Sequence, residues 1–171
     1  MSRLYKEFVN ETLNSEGNVE KVTFKRDKYY NFAYDVVDRL AKDKPEKMAM
    51  VWCNDAGDEK FITFKEMKEY SDKTASFFQS LGIKKGDAVL LILKRHYEWW
   101  YCMMALHKIG AIAIPATNQL MAKDVVYRVN AASIKAVVCT SDGDISDIVD
   151  EAQAETETLS IKIITRTKKE G

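Results

Sequence analysis

Short apolar runs alternate with longer amphipathic segments along most of the chain. The run "AVLLIL" (residues 88–93) is apolar at every position, which is typical of a strand covered by helices on both faces. Three further strand-like runs follow: "AIAI", "KAVVC" and "LSIKII". The segments between them carry apolar residues three and four apart, as Met121, Val125 and Val129 are, and this spacing predicts helices. Strands that alternate with helices predict a parallel, doubly wound sheet.

A helix and a β-hairpin are predicted ahead of that sheet. In "NFAYDVVDRLAKDKP", Phe32 and Val37 lie on one helical face, and Pro45 ends the helix. Two strand-like runs follow, "KMAMVWCN" and "EKFITF", joined by the glycine-containing turn "DAGD". A capping box formed by Thr63 and Glu66 then begins the next helix.

These elements predict an α/β fold, with a doubly wound, mainly parallel sheet, flanking helices and one β-hairpin. Residues 1–30 are polar and weakly patterned, and we expect an N-terminal arm or short helix that packs outside the main domain. Residues 31–171 contain no internal linker or low-complexity segment, and we expect them to form a single domain or part of one.

Composition excludes several classes of function. The 26 basic and 26 acidic residues cancel and are interspersed, which argues against a surface for nucleic acid or an anionic membrane. The longest uninterrupted apolar run, "WWYCMMAL", is far shorter than the ~20 residues that span a bilayer. The N-terminus has no apolar core of signal-peptide type. We expect a cytoplasmic protein whose three cysteines, each in an apolar run, are reduced and buried.

Motifs for catalysis or metal binding are missing from the sequence. The seven glycines match neither G-x-x-x-x-G-K-[ST] nor G-x-G-x-x-G, and no serine lies in a G-x-S-x-G elbow. His96, Cys102 and His107 lack the paired spacing of zinc ligands, so a buried helix flank explains this stretch better. The acidic run "DGDISDIVDEAQAETE" lacks calcium-loop spacing and fits a solvated helix face. We expect no catalytic residue and no metal site.

The loop "IPATNQL" remains as a candidate binding site. Thr117, Asn118 and Gln119 follow the strand "AIAI", and ligands of open parallel sheets collect at the carboxyl ends of the strands. Their hydroxyl and amide groups suit a neutral or phosphorylated ligand. A polar loop that caps the next helix explains the same residues, and the pattern alone favours that plainer interpretation because every βα unit has such a loop.

The order of the segments resembles the opening of the AMP-forming acyl-CoA synthetases, which are adenylate-forming enzymes. The resemblance extends from Tyr30 to Ile164 and is strongest to the acetyl- and medium-chain branch. Its most distinctive blocks are "LGIKKGDAV" and "KIGAIAIPAT". It implies a reaction of a carboxylic acid, ATP with Mg²⁺, and CoA that gives acyl-CoA, AMP and pyrophosphate. The family's phosphate loop, adenylate motifs and C-terminal catalytic lysine do not occur in this chain, which resembles the N-terminal portion only.

The resemblance also implies a role for one residue of the loop. In the closest branch, the glutamine after the P-x-T-x pattern contributes to the CoA nucleotide site, and Gln119 occupies that position here, with Thr117 and Asn118 beside it. Two departures concern the same site. Lys94 stands where relatives commonly have proline, and the acidic "TSDGDISD" stands where some relatives have arginines that bind CoA phosphate. We therefore expect CoA contacts through amide and backbone groups.

Two functional hypotheses follow from the sequence. The first is a synthetase fragment that is inactive alone and binds neither CoA nor ATP tightly by itself. The second is a stand-alone, non-catalytic binding or interaction module derived from such an enzyme. In either case a partial domain exposes apolar surface, and we expect this surface to promote self-association.

Overall fold

The computed structural model describes residues 4–25 and 28–167. In chain order the elements are a 3₁₀ turn (Leu4–Glu7), β1 (Val9–Leu13), β2 (Val19–Phe24), a π-helical segment (Ala33–Asp38) that continues into α1 (Arg39–Asp43), β3 (Met48–Cys53), β4 (Glu59–Thr63), α2 (Phe64–Ser80), β5 (Ala88–Ile92), α3 (Glu98–Ile109), β6 (Ile112–Pro115), α4 (Ala122–Ala132), β7 (Ile134–Thr140), α5 (Ile145–Ala154) and β8 (Ile161–Thr165).

A four-stranded parallel sheet in the order β6–β5–β7–β8 forms the centre of the molecule. Every residue of β5 is buried, and alternate side chains point into two different layers. Val89 and Leu91 pack with α2 and α3, whereas Leu90 and Ile92 pack with α4 and α5. The predicted doubly wound α/β fold is confirmed. Because helices cover β5 on both faces of the sheet, the run "AVLLIL" contains no polar position.

The turn before β5 is held by glycines and by one carboxylate. Gly82 and Gly86 have φ values of 85° and 87°, in the left-handed region that favours glycine. The Asp87 carboxylate accepts hydrogen bonds from the Lys84 backbone amide at 2.8 Å and from Lys135 Nζ at 2.7 Å. The bond from Lys135, with lesser help from Lys84, holds the pKa of Asp87 below its ordinary value. The block "LGIKKGDAV" therefore stabilises the amino edge of the sheet.

The predicted hairpin and capping box are both present. Strands β3 and β4 pair antiparallel. At the start of α2, the Glu66 backbone amide donates to Thr63 Oγ1 at 3.2 Å, and the Thr63 amide donates to Glu66 Oε2 at 2.8 Å. These bonds satisfy two amides that the helix itself leaves unpaired.

A second hairpin, β1–β2, lies in the predicted arm and was not expected from the sequence. Its side chains are almost all exposed, so the strands lack the buried alternation from which a strand is predicted. The Arg39 guanidinium donates two hydrogen bonds, of 2.6 and 2.9 Å, to the Glu7 carboxylate and ties the arm to α1. The boundary at residue 30 stays a prediction, and residues 1–3, 26–27 and 168–171 of the predicted regions lie outside the described residues.

Three positions that the pattern placed in the core are exposed instead, because each lies at the end of an element. Phe32, 44% exposed, immediately precedes the π-helical segment. Cys53 is exposed as the last residue of β3, whereas Cys102 and Cys139 are buried as expected. Met121, 60% exposed, is the N-cap residue of α4 and not part of its buried face.

A buried lysine connects three helical segments around the sheet. The side chain of Lys108, on α3, is only 2% exposed. Its Nζ donates to Ser71 Oγ at 2.9 Å and to Asp72 Oδ1 at 2.6 Å, and lies 2.8 Å from Asp38 Oδ1. Burial by itself raises the pKa of Asp72, but the hydrogen bonds from Lys108 and Lys68 outweigh it and lower that pKa. The buried ammonium group thus forms two hydrogen bonds, to Ser71 and Asp72, and an ion pair with Asp38.

We predict that Lys108→Met destabilises the fold by about 3–5 kcal/mol, because methionine keeps the aliphatic stem but leaves the facing carboxylates without their cation. Urea unfolding of the variant and of the parent chain measures this difference. Lys123→Met, an exposed lysine on α4, is the matched control and should change stability by less than about 0.5 kcal/mol. Equal effects of the two substitutions would contradict the proposed role of the buried ammonium group.

Candidate functional site

The carboxyl ends of the parallel strands bring three loops to one edge of the sheet. These carboxyl-edge loops are residues 93–97 after β5, 116–121 after β6 and 141–144 after β7. The strand order places the loop 93–97 between the other two. The chain leaves β5 for α3 on one face and leaves β7 for α5 on the other face. The gap between the ends of β5 and β7 is therefore the topological switch point, where open α/β sheets bind ligands.

The three residues predicted from the sequence lie together in the loop after β6. The backbone amide of Ala116 donates to the Leu91 carbonyl at 2.9 Å and fixes the start of the loop against β5. The backbone amide of Gln119 donates to Thr117 Oγ1 at 3.3 Å, which forms a local turn. Thr117 and Gln119 are exposed, and Asn118 is half-buried. The Gln119 side chain is thus presented to solvent at the carboxyl edge of the sheet.

The same loop also begins helix α4, as the plainer interpretation of its pattern predicted. Met121 is the N-cap residue, and its backbone amide donates to Asp124 Oδ2 at 3.1 Å. The carboxylate of Asp124 therefore supports the helix start. The helix start and the exposed amide of Gln119 involve different side chains, so the two interpretations of the loop do not compete.

A second group of residues, the switch-point cluster of Lys94, His96 and Asp142, was not predicted. His96 Nε2 lies 2.7 Å from Asp142 Oδ2, and Lys94 Nζ lies 3.7 Å from the same oxygen. The hydrogen bond from His96, with the charge of Lys94, holds the pKa of Asp142 below its ordinary value. An ionised carboxylate can only accept, so Nε2 carries the proton and donates. His96 Nδ1 is buried and has no hydrogen-bond partner among the described residues.

The backbone of Lys94 is unusual at this point. Its φ of 50° lies in the left-handed region, which costs a non-glycine residue of order 1–3 kcal/mol and occurs most often near functional sites. A proline is held near −65° by its ring and could not adopt this φ. The backbone at Lys94 therefore excludes a proline at this position.

Sequence patterns missed this cluster because its members lie on loops far apart in the chain. His96 and Asp142 are 46 positions apart, and they meet only because β7 pairs beside β5. The sequence pattern alone places His96 on the flank of a buried helix and Asp142 in a solvated acidic stretch. The cluster could have been found by taking the first polar residues after each buried strand and asking which of these strands are neighbours in the sheet.

The other polar residues near His96 show no metal-binding or nucleophilic arrangement. Burial, with a smaller effect of Glu98, raises the pKa of the Cys102 thiol to about 12, so this thiol stays protonated and unreactive. Within residues 4–25 and 28–167, no group of three or more His, Cys, Asp or Glu side chains is close enough to hold a metal ion.

An arginine clamp holds the β3–β4 hairpin against the carboxyl edge. Arg166, directly after β8, donates to the Glu98 carboxylate at 2.9 and 3.1 Å. Its Cζ lies 4.7 Å from the Tyr97 ring centroid and 5.3 Å from that of Trp52, within the range of cation–π attraction. The Trp52 indole in turn donates to the Arg95 carbonyl at 2.7 Å. These contacts fix the loop 93–97.

A shallow depression of about 310 Å³ lies elsewhere, at the amino edge of β6. It is lined by Tyr30, Asn31, Phe32, His107, Gly110 and Ala111. Because it opens at the amino end of the sheet, it does not coincide with the carboxyl-edge loops.

Comparison with known proteins assigns the family. The model of the family described as "AMP-binding enzyme" matches residues 37–170, which include β5 to β8 and all three carboxyl-edge loops. The chain belongs to this family. The resemblance to acyl-CoA synthetases seen in the sequence is also confirmed by individual relatives.

Two relatives illustrate the match. Acyl-coenzyme A synthetase ACSM5, mitochondrial, of Rattus norvegicus is 36% identical over 142 residues, which are 80% of this chain and 24% of that protein. Acyl-coenzyme A synthetase ACSM3, mitochondrial, of Homo sapiens is 34% identical over 150 residues, 84% of this chain and 25% of that protein. The chain thus spans about a quarter of the length of these curated relatives.

A solved structure shares the fold. The fatty acyl CoA synthetase of Mycobacterium tuberculosis superposes with a TM-score of 0.71 at 23% identity, over 82% of this chain and 27% of that one.

The cytoplasmic location expected from the sequence gains no support from these comparisons. The relatives are named as mitochondrial proteins, and a cytoplasmic location stays a prediction. Of the helices in the described part of the chain, none combines the length and the apolar character needed to cross a bilayer.

We predict that Asp142 makes stability depend on pH in the acid range. Its folded-state pKa is lowered, so its contribution is present above the unfolded value of about 3.9 and is lost as the pH falls through the folded pKa. Because the side chain is 38% exposed, solvent screening limits the effect of Asp142→Asn at pH 7 to less than about 1 kcal/mol.

Urea unfolding at about pH 7 and pH 3 tests this prediction. Asp142→Asn should reduce the difference in stability between the two pH values. Asp144→Asn removes the same charge two positions away, at a residue whose side chain makes no capping hydrogen bond, and should leave the difference nearly unchanged. An unaltered pH dependence in Asp142→Asn would refute the assignment.

Proposed function

We propose that this chain forms the leading part of an AMP-forming acyl-CoA synthetase. Such an enzyme converts a carboxylic acid, ATP with Mg²⁺, and CoA into acyl-CoA, AMP and pyrophosphate. The observation that carries the proposal is the match of residues 37–170 to the AMP-binding enzyme family, together with relatives named as acyl-coenzyme A synthetases. The whole parallel sheet and its carboxyl-edge loops lie within the matched region.

Within that enzyme, Gln119 contributes to the site that binds the nucleotide part of CoA. Its side chain is exposed at the carboxyl edge, and an amide offers both a donor and an acceptor to a base or ribose. Thr117 shapes the turn that presents Gln119, and Asn118 lies between them. The loop is one wall of the site, and the rest of the intact enzyme supplies the facing wall.

The chain alone does not catalyse adenylation in this proposal. Forming an acyl-adenylate requires groups that stabilise the charge developing on the transferred phosphorus centre. The glycine spacing of a phosphate loop is absent from this sequence. The carboxyl-edge loops thus supply binding groups, whereas the catalytic groups belong to other parts of the intact enzyme.

A non-catalytic interaction module is the second candidate, and exposed apolar side chains favour it. Met48, Val51 and Phe61 on the β3–β4 hairpin are 50%, 52% and 57% exposed. Ile112, on strand β6 at the edge of the sheet, is 53% exposed. Apolar surface of this kind promotes association, either with the remainder of a longer domain or with a second copy of this chain.

We predict that the purified 171-residue chain does not exchange pyrophosphate into ATP with acetate, butyrate or octanoate. The physical reason is the missing phosphate-binding and charge-stabilising groups. The assay follows labelled pyrophosphate into ATP, with an active full-length synthetase as the positive control. Exchange that increases in proportion to the concentration of the purified chain would refute the claim of inactivity.

We predict that Gln119→Ala in the intact enzyme weakens CoA binding by about 1 kcal/mol, or about fivefold, the typical value of one hydrogen bond. The Michaelis constant for CoA measures this change, and the constants for ATP and the carboxylic acid should stay the same. Asn130→Ala, which removes an exposed amide from α4, is the control. An unchanged constant for CoA would remove Gln119 from the site.

A further inference from the structure

A lysine and a histidine of the switch-point cluster converge on one carboxylate oxygen. Lys94 Nζ and His96 Nε2 come from the loop after β5 and face Asp142 Oδ2, at 3.7 and 2.7 Å. Asp142 belongs to a different loop, after β7. An oxygen anion held between a lysine ammonium group and a histidine N–H is also the arrangement that binds a phosphate oxygen. The protein's own carboxylate therefore lies where the oxygen of a phosphate would bind.

The cluster differs from an ordinary surface ion pair in its burial. The His96 side chain is only 13% exposed, whereas those of Lys94 and Asp142 are 51% and 38% exposed. The His96 side chain is thus mostly buried, whereas an anion can reach Lys94 and Asp142 from solvent. The buried Nδ1 of His96 has no partner in the described part of the chain, so the ring has hydrogen-bonding capacity that the pair with Asp142 does not use.

The surrounding charges favour an anion once Asp142 moves aside. Arg95, between Lys94 and His96, is exposed. Arg166 also faces this edge, and its charge is paired with Glu98 in the arginine clamp. Without the carboxylate of Asp142, the loop 93–97 presents the side chains of Lys94, Arg95 and His96, none of which is acidic.

The position of the cluster connects it to the predicted nucleotide site. Strand β6 pairs with β5, with Pro115 opposite Leu91, and neighbouring strands lie about 4.8 Å apart. The loop that carries Gln119 and the loop that carries His96 therefore start side by side at the same edge. A ligand that contacts Gln119 through a base or ribose can extend its phosphate groups toward Lys94 and His96.

We propose that Lys94 and His96 form a phosphate-binding subsite, and that Asp142 occupies it in this structure as an internal competitor. The assignment of the phosphate to the nucleotide part of CoA rests on the proposed function; the subsite itself rests on the cluster. The presence of lysine at position 94, where the resemblance implies a proline, then has a functional explanation. The acidic loop after β7 offers no cation for CoA phosphate, and the loop after β5 supplies one instead.

NMR on the full 171-residue chain tests the subsite directly, since the chain has only two histidines. The probes are inorganic pyrophosphate and CoA, added at about pH 6, where an ordinary histidine is largely protonated. Pyrophosphate should shift the ring signals of His96 and leave those of His107 unchanged. Lys94→Gln should abolish this response, because it removes the second cation while keeping a side chain of similar length.

Removing the internal competitor should strengthen binding. Asp142→Asn should raise the affinity for pyrophosphate about tenfold, the ratio expected for one charge-assisted hydrogen bond. Asp144→Asn makes the same change in net charge in the same loop and should raise the affinity less than about twofold. Equal gains in the two variants would overturn the proposal in favour of a general charge effect.

Titration of the unmodified chain keeps the test decisive if Asp142→Asn does not fold. No shift of the His96 ring with either probe would overturn the subsite. If CoA shifts the Gln119 side-chain amide but not His96, the subsite is overturned while the proposed CoA wall stands. If pyrophosphate shifts His96 while CoA leaves Gln119 unchanged, the subsite is supported and the proposed role of Gln119 fails.

Discussion

The burial of strand β5 on both faces is the constraint on which the rest of the structure depends. Its side chains alternate between two apolar layers and are all buried from Ala88 to Leu93. Such a strand requires helices on each side of the sheet. The chain must therefore leave β5 for one face and leave its neighbour β7 for the other. That divergence creates the switch point and places three loops around it.

The two edges of the sheet have different roles. At the amino edge, Asp87 joins Lys135 and the turn before β5, so the block "LGIKKGDAV" has a structural role. Around the periphery, the buried ammonium of Lys108 connects three helical segments. At the carboxyl edge the polar groups are instead exposed or face one another across loops, and the strained Lys94 lies among them. The proposed binding groups thus lie on a scaffold whose stability is determined elsewhere.

Features that depend on local sequence could be predicted. The apolar run of β5, the capping box at Thr63 and the position of Gln119 all follow from residues close together in the chain. Features that depend on distant partners could not. His96 meets Asp142 only through the strand order, and Lys108 meets Asp38 and Asp72 only through helix packing. The exposed hairpin β1–β2 lacks a buried face, so periodicity gave no signal for it.

The central claim is that the carboxyl-edge loops form one contiguous site for a nucleotide. Mapping of backbone amide shifts in the 171-residue chain during a CoA titration tests it most directly. We expect the shifts to cluster in residues 94–97, 116–121 and 141–144, three stretches that are separate in sequence and adjacent in the fold. Shifts that cluster instead around His107 and Gly110 at the amino edge, or no shifts at all, would contradict the claim.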